Sequence, residues 1–205
     1  MIKIYHYTNT RGLRPIWVCE ELNLKYKLKI IDFSTQYRFS SDFLRISPIG
    51  KVPVMQDGDT TMCESGAMVH YVITKYGNGK LMPEINDPLH MKYLEWSWFA
   101  EATFASSISE IIRHKRAFPN THNQDVISEF KKRANACLEA LNVFLGDKEW
   151  LLGEKFSGAD IMMGIVLTAY TKHVEEPFPD SVALYLRRLT ARPAFLRTKK
   201  AEAQL

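Results

Sequence analysis

A proline inside a strand-like segment is the feature that most constrains the fold of this chain. Pro53 lies within Val52-Pro53-Val54-Met55, an apolar run that otherwise has the composition of a strand. Proline has no backbone N–H to donate to a sheet, so it must mark an edge, a strand start or a bend. A cis Val52–Pro53 bond fits such a bend, since cis peptide bonds are almost confined to X–Pro. We therefore expect the backbone N–H and C=O of Val52 to face outward, where they can pair with an extended peptide.

A second element with binding chemistry follows eleven residues after Pro53. Glu64-Ser65 stands between a short strand-like run, Thr60–Cys63, and a helical pattern that continues to Tyr76. Ser65 at a helix start combines a hydroxyl, unpaired backbone N–H groups and the positive end of the helix dipole, which together suit a carboxylate. The sequence thus predicts a main-chain clamp next to an anion site, and a small acidic peptide is the natural ligand for that pair.

The first 76 residues predict the element order β-α-β-α-β-β-α, which is the thioredoxin-like arrangement. The expected strands are 2–7, 26–31, 52–55 and 60–63, and the expected helices are 14–22, 42–46 and 66–76. Asp57-Gly58 is a strong hairpin signal between the last two strands. Turn-forming residues follow at 77–88, and every strong pattern beyond Leu89 is helical. We predict an α/β thioredoxin-like domain over residues 1–80, a linker at 81–88 and an all-α domain over 89–205.

These motifs resemble the glutathione-binding half of the cytosolic glutathione S-transferases. The family's signature P-x-G-x-V-P-x-L … E-S stands here as Pro48, Gly50, Val52, Pro53 and Glu64-Ser65, with Met55 in the leucine place. The resemblance extends to the second domain, where Ser157-Gly158-Ala159-Asp160-Ile161 matches the family's S-x-A-D-I element. Ser157 and Asp160 also have the spacing of an N-terminal capping box, so we expect Asp160 to support folding rather than chemistry.

The resemblance implies glutathione as co-substrate and assigns residues to each of its ends. Ser65 and Glu64 are expected to hold the γ-glutamyl end, and the backbone of Val52, beside Pro53, is expected to pair with the cysteinyl amide. Lys51 is placed to meet the glycyl carboxylate, and Gln36 is a further candidate for that end.

A helix of the second domain carries the remaining expected contacts. Glu101 falls where delta-type and theta-type members carry an acid that reaches across the dimer to the glutamyl ammonium, which implies a homodimer. Ser106, Ser109 and Arg113 share one face of the helix, which by resemblance lines the pocket for the electrophile. The polar composition of that face indicates a polar or anionic co-substrate, although a solvated helix face explains the same residues.

Glutathione transfer requires a thiolate, and a free thiol with a pKa of about 8.5 is mostly protonated at neutral pH. Serine-type members carry the stabilising hydroxyl four residues before an arginine, and by that count Thr10 stands in the serine place before Arg14. The amide of Asn9 is an alternative donor, and so are the hydroxyls of Tyr5 and Tyr7 on the first strand. A structural interpretation also stays open, in which Thr10 only caps the following helix.

The leading prediction is a transferase that conjugates the glutathione thiolate to an electrophilic small molecule. A glutathione-dependent peroxidase or disulfide reductase is the first alternative, because the glutathione half-site would be the same. Asn9-Thr10-Arg11 replaces both the Ser-Ser-Cys loop of the maleylacetoacetate isomerase type and the cysteine of beta-type members. The third possibility is a non-catalytic scaffold, against which the retained glutathione motif argues.

Composition excludes several other classes. The three cysteines at 19, 63 and 137 form no paired framework, which is typical of a reducing compartment, so a cytoplasmic protein is expected. No apolar run reaches the length of a membrane span. The net charge of +4 is mild and no nucleic-acid-binding module accompanies the basic clusters. The six histidines lack metal-ligand spacing, so no metal is expected.

Overall fold

The computed structural model describes residues 1–203, which form two compact units. The first unit consists of Met1–Lys80 and of the chain from Ala191 onward, and the second consists of Leu81–Thr190. The elements in chain order are β1 (Ile2–His6), α1 (Leu13–Glu21), β2 (Tyr26–Ile30), α2 (Thr35–Arg38), α3 (Ser41–Leu44), β3 (Val54–Asp57), β4 (Thr60–Met62) and α4 (Ser65–Tyr76). They continue with α5 (Leu89–Trp98), a π-helical turn (Phe99–Phe104), α6 (Ala105–Ala117), α7 (Gln124–Leu145), α8 (Gly158–His173), α9 (Asp180–Ala191) and α10 (Pro193–Ala203).

The first unit is built on a mixed four-stranded sheet with the strand order β2-β1-β3-β4. β1 runs parallel to β2, with Ile2 opposite Tyr26, and antiparallel to β3, with Tyr5 opposite Val54. β3 and β4 form the hairpin that Asp57-Gly58 predicts. The thioredoxin-like first domain followed by a helical domain is thereby confirmed. The third strand begins at Val54 rather than Val52, directly after the proline that has no N–H for the ladder.

Asp57 ties the hairpin to α4. Its carboxylate, 7% exposed, accepts hydrogen bonds from Lys75 Nζ at 2.7 Å, Tyr71 OH at 2.8 Å and Tyr76 OH at 2.6 Å. The bonds from Lys75 and Tyr76 outweigh the opposing effect of burial and lower the pKa of Asp57 to about 2. The hairpin is therefore fixed to the C-terminal half of α4.

The last helix belongs to the first unit, which differs from the expected extent of the helical domain, 89–205. α10 packs on α1, where the rings of Trp17 and Phe195 lie 4.8 Å apart edge to face. Arg197 donates to the carboxylate of Glu20 at 2.7 Å, and Arg192, just before α10, donates to Glu21 of α1. No local pattern in the sequence predicts this packing, so the sequence alone assigns α10 to the same domain as the helices that precede it. The expected domain boundaries otherwise stay a prediction.

The second unit is helical and has Asp160 at its centre. Asp160 is fully buried at the start of α8, where it accepts the backbone N–H and hydroxyl of Ser157, each at 2.8 Å. It also accepts the N–H of Leu151 at 2.9 Å and the hydroxyl of Tyr185 at 2.7 Å. The capping box is present as expected. Within residues 1–203, no helix combines the length and apolarity that crossing a bilayer requires.

Candidate active site

A cleft of about 100 Å³ lies in the first unit and gathers most of the residues that the sequence assigns to glutathione. It is lined by Arg11, Ser47, Ile49, Lys51, Val52, Pro53, Cys63, Glu64 and Ser65. Five of the seven expected glutathione residues are in this set. The other two, Gln36 on α2 and Glu101 in the second unit, do not line it.

One wall of the cleft is the turn that ends at the proline. The Val52–Pro53 peptide bond is cis. Ser47 is fully buried, and its hydroxyl donates to the carbonyl of Lys51 at 2.7 Å and accepts the N–H of Lys51 at 2.9 Å. Gly50 has φ 61°, and a Cβ there would lie 2.8 Å from the carbonyl oxygen of Arg38. Only glycine fits this close approach, so the turn geometry depends on it.

The turn leaves the main chain of Val52 available. Within residues 1–203, no hydrogen bond uses the backbone N–H or C=O of Val52, which precedes the first residue of β3 by two positions. Both groups are therefore unpaired in the described part of the chain, and the expectation that they face outward stays a prediction. An extended peptide lying along this edge can form the two bonds that an added strand forms.

The opposite wall is the start of α4. Glu64 has φ 71°, and its carbonyl accepts the N–H of Met68 at 3.0 Å. Ser65, 5% exposed, is the first residue of the helix, and its hydroxyl accepts a hydrogen bond from Nη1 of the buried Arg14 at 3.0 Å. The first N–H groups of a helix have no partner within it, so this end attracts an anion. Arg14, which in the sequence served only to locate Thr10, thus positions the Ser65 hydroxyl.

The segment Tyr7–Gly12 between β1 and α1, here called the active-site loop, holds the expected thiolate donors. The hydroxyl of Thr10 donates to the carbonyl of Tyr7 at 2.7 Å and accepts the N–H of Gly12 at 3.3 Å. The side chain of Thr10 is half-buried, and Asn9 is exposed with φ 57°. In this structure Thr10 caps its own loop, and Arg11 is the loop residue that lines the cleft.

The tyrosine alternatives lie apart from the lining of the cleft. The hydroxyl of Tyr5 donates to the side chain of Gln56 at 3.0 Å, and the ring is 7% exposed within the core. Tyr7 stacks on Phe33 with ring centroids 4.4 Å apart. Both rings pack in the cluster that contains Ile31, so their arrangement is that of core residues.

The loop is also held from the far end of the chain. Glu202 of α10 accepts the backbone N–H of Asn9 at 2.7 Å, and the same oxygen lies 3.1 Å from Nε2 of His6. Burial opposes the charged form of Glu202, but the bonds from His6, Lys199 and Asn9 outweigh burial and lower the pKa of its carboxyl to about 2. Sequence reasoning missed Glu202, since no local pattern relates it to a loop 193 residues earlier.

The residues expected at the electrophile pocket all lie in the second unit. The hydroxyls of Ser106 and Ser109 donate to carbonyls of their own chain, at Thr103 and Ala105, each at 2.7 Å. Arg113 is exposed and pairs with Glu110. Their roles, and that of Glu101, stay predictions. Within the described residues, no group of three or more His, Cys, Asp or Glu side chains is arranged to hold a metal ion.

Comparison with known proteins finds similar sequences over nearly the whole chain. Residues 1–74 match the family model "Glutathione S-transferase, N-terminal domain". The chain is 27% identical over 210 residues to Glutathione S-transferase 3 of Schizosaccharomyces pombe, which covers 95% of this chain and 85% of the relative. It is 26% identical over 202 residues to the Disulfide-bond oxidoreductase YfcG of Escherichia coli, covering 95% of this chain and 92% of the relative.

Solved structures show the same fold. Glutathione transferase URE2P6 from Phanerochaete chrysosporium, in complex with oxidized glutathione, superposes with a TM-score of 0.88 at 21% identity over 99% of this chain and 96% of that chain. A glutathione transferase family member from Pseudomonas fluorescens with two glutathione bound gives a TM-score of 0.85 at 25% identity, covering 96% and 91%. The fold is that of the glutathione transferases. Residues 1–74 therefore match a glutathione S-transferase N-terminal domain, and the chain as a whole is similar to proteins named glutathione S-transferases.

Proposed function

We propose that the protein is a glutathione transferase that conjugates the glutathione thiolate to an electrophilic small molecule. The observation that carries the proposal is the cleft of the first unit. The lining of this cleft includes Val52, whose main-chain groups are unpaired among the described residues, and the N-terminus of α4 at Ser65, together with Lys51 and Glu64.

The charged groups in the cleft lining are complementary to those at the two ends of glutathione. The γ-glutamyl carboxylate meets the Ser65 hydroxyl and the N–H groups of the first turn of α4, while the ammonium group meets the exposed carboxylate of Glu64. The backbone of Val52 pairs with the cysteinyl amide, and Lys51 meets the glycyl carboxylate. Gln36, exposed on α2, is proposed as a second contact for that carboxylate.

The active-site loop is proposed to stabilise the thiolate. A decrease of about two units in the thiol pKa corresponds to about 2.7 kcal/mol of preferential stabilisation. Thr10 can supply part of it only if its hydroxyl turns from the carbonyl of Tyr7 toward the sulfur, and the Asn9 amide is the alternative donor. The guanidinium of Arg11 in the cleft lining adds a positive charge that favours the anion.

The second unit is proposed to supply the electrophile contacts. Ser106, Ser109 and Arg113 of α6 would form a polar face for a polar or anionic co-substrate. Glu101 would reach the glutamyl ammonium of a neighbouring subunit in a homodimer. Both statements rest on the family resemblance.

A disulfide reductase is the second candidate function, and the comparisons favour it specifically. One relative is named a disulfide-bond oxidoreductase, and two solved structures contain oxidized glutathione. A site that binds glutathione next to Arg11 could hold a second glutathionyl group through the same cation.

The decisive experiment is an ultraviolet difference titration of bound glutathione, which follows the thiolate absorbance against pH. A thiol pKa below that of free glutathione supports the transferase, and absence of any bound thiolate up to the free pKa contradicts it. Turnover of a chloronitrobenzene, a hydroxyethyl disulfide and cumene hydroperoxide then separates the transferase, reductase and peroxidase activities. Thr10→Ala and Asn9→Ala, measured in the same titration, identify the donor.

A further inference from the structure

We infer that Glu202, in the last turn of α10, is a positioning residue for the active-site loop. The inference rests on the proposed function, because it concerns the loop that would stabilise the glutathione thiolate. Glu202 is not part of the cleft lining. It acts on the loop through its contacts with the backbone of Asn9 and the ring of His6.

The carboxylate of Glu202 is held by three donors in a buried place. Its Oε1 accepts the N–H of Asn9 at 2.7 Å and faces Nε2 of His6 at 3.1 Å. The other oxygen, Oε2, accepts from the ammonium group of Lys199 one turn earlier in the helix. With 6% of the side chain exposed, loss of the carboxylate would leave the N–H of Asn9 and a buried ring nitrogen of His6 without this acceptor.

The hydrogen bond from Asn9 to Glu202 is made by a residue with an unfavourable backbone conformation. Asn9 lies in the left-handed region, which residues other than glycine rarely occupy and which asparagine tolerates better than most. Asn9 directly precedes Thr10, so the position of its N–H sets the direction in which both proposed donor side chains leave the backbone. A carboxylate on α10 therefore fixes the orientation of the two donors without touching either side chain.

His6 extends this control to the hydroxyl of Thr10. The ring is fully buried against Gly12, where a Cβ would lie 2.1 Å from Nδ1. The contact between Nε2 and the carboxylate oxygen of Glu202 holds the ring in this orientation. Nδ1 lies 3.4 Å from Oγ1 of Thr10, so Glu202 orients the ring that adjoins the proposed donor.

The test compares Glu202→Ala, Glu202→Gln and the matched control Arg197→Ala in the full-length protein. Arg197 also belongs to α10, but its guanidinium pairs with Glu20 on α1 at 2.7 Å rather than with the active-site loop. Its removal therefore reports the general cost of loosening α10. Glutamine at 202 keeps one oxygen that can accept the N–H of Asn9, so this variant serves as the conservative rescue.

Amide hydrogen exchange of the ligand-free protein is the first readout, because it does not depend on glutathione. We expect peptides that cover residues 7–12 to exchange at least about tenfold faster in Glu202→Ala and near the wild-type rate in Arg197→Ala. Unchanged exchange in Glu202→Ala, or equal acceleration in the control, would overturn the inference.

Binding and catalysis give the second readout. We expect Glu202→Ala to raise the pKa of the bound thiol and to lower kcat about 10- to 100-fold, with the Kd for glutathione within about threefold of wild type. Glu202→Gln should recover part of both effects. If the alanine variant does not fold, the test is carried by Glu202→Gln, whose bound thiol should have a higher pKa than that of Arg197→Ala. Loss of glutathione binding equal to the loss in kcat would show a merely structural role. Absence of a bound thiolate in the wild type would instead refute the proposed function, while the exchange result still decides the role of Glu202.

Discussion

Replacing Ser65 by alanine gives the sharpest test of the proposed glutathione site, because its hydroxyl has one partner in the structure and a second in the proposal. The hydroxyl accepts a hydrogen bond from the buried Arg14 at 3.0 Å and is proposed to donate to the γ-glutamyl carboxylate. A hydrogen bond to a charged group contributes about 1.5–3 kcal/mol. At 1.4 kcal/mol for each factor of ten, we expect Ser65→Ala to weaken glutathione binding by about 10- to 150-fold.

Calorimetry with two ligands separates this effect from general damage to the cleft. The dipeptide Cys-Gly, used with its amine acetylated, lacks the γ-glutamyl group but keeps the cysteinyl amide and the glycyl carboxylate that Val52 and Lys51 would bind. Ser65→Ala should strongly weaken the binding of glutathione and change the affinity for Cys-Gly by less than about threefold. The two proteins and the two ligands together form a double-mutant cycle. Ser65→Thr, which keeps a hydroxyl, is the matched control. Equal weakening of both ligands would refute the placement of the γ-glutamyl end at α4.

Three further predictions concern other parts of the molecule. Lys51→Ala should raise the KM for glutathione by up to about fivefold with kcat nearly unchanged, since an exposed ion pair contributes up to about 1 kcal/mol and stabilises ground and transition states alike. Steady-state kinetics with Lys51→Arg as the control checks this. The depressed pKa of Asp57, about 2, means that its charged form stabilises the fold above the ordinary value of 3.8 and that this contribution is lost as pH falls through about 2. The gap in unfolding free energy between wild type and Asp57→Asn should therefore be about 1–2 kcal/mol at pH 7, allowing for the half-exposed Lys75, and should close between about pH 4 and pH 2 in urea titrations. Asp160→Asn should lower the unfolding free energy by about 3 kcal/mol or more, because an amide cannot accept from all the donors around the buried carboxylate; unchanged stability in guanidinium titrations would contradict the capping network.

The sequence predicts those parts of the candidate site that arise from local chemistry. A proline in an apolar run and a serine at a helix start identify the two walls of the cleft, because each acts through its own backbone. The cis Val52–Pro53 bond and the hairpin at Asp57-Gly58 follow from the same local rules. The order of strands also follows, since a β-α-β-α-β-β-α series has few ways to pair its strands.

The remaining features depend on contacts between distant residues or on side-chain rotamers. The position of Thr10 could be counted from Arg14, but nothing in the sequence shows that its hydroxyl bonds to the carbonyl of Tyr7. The contact between Glu202 and Asn9 spans nearly the whole chain, and one acid in an amphipathic helix has no feature that marks it. The orientation of loop donors is thus a tertiary property and is not encoded next to the donors themselves.

The return of α10 to the first unit has a consequence for synthesis of the chain on the ribosome. Residues 81–190 are inserted into the first unit, so the segment that completes this unit is made only after the whole second unit. The helical insert is synthesised before Arg192, Arg197 and Glu202 can contact α1 and the active-site loop. A nascent chain stalled just short of α10 should therefore present the sheet of the first unit without α10, and its active-site loop should lack the contact with Glu202.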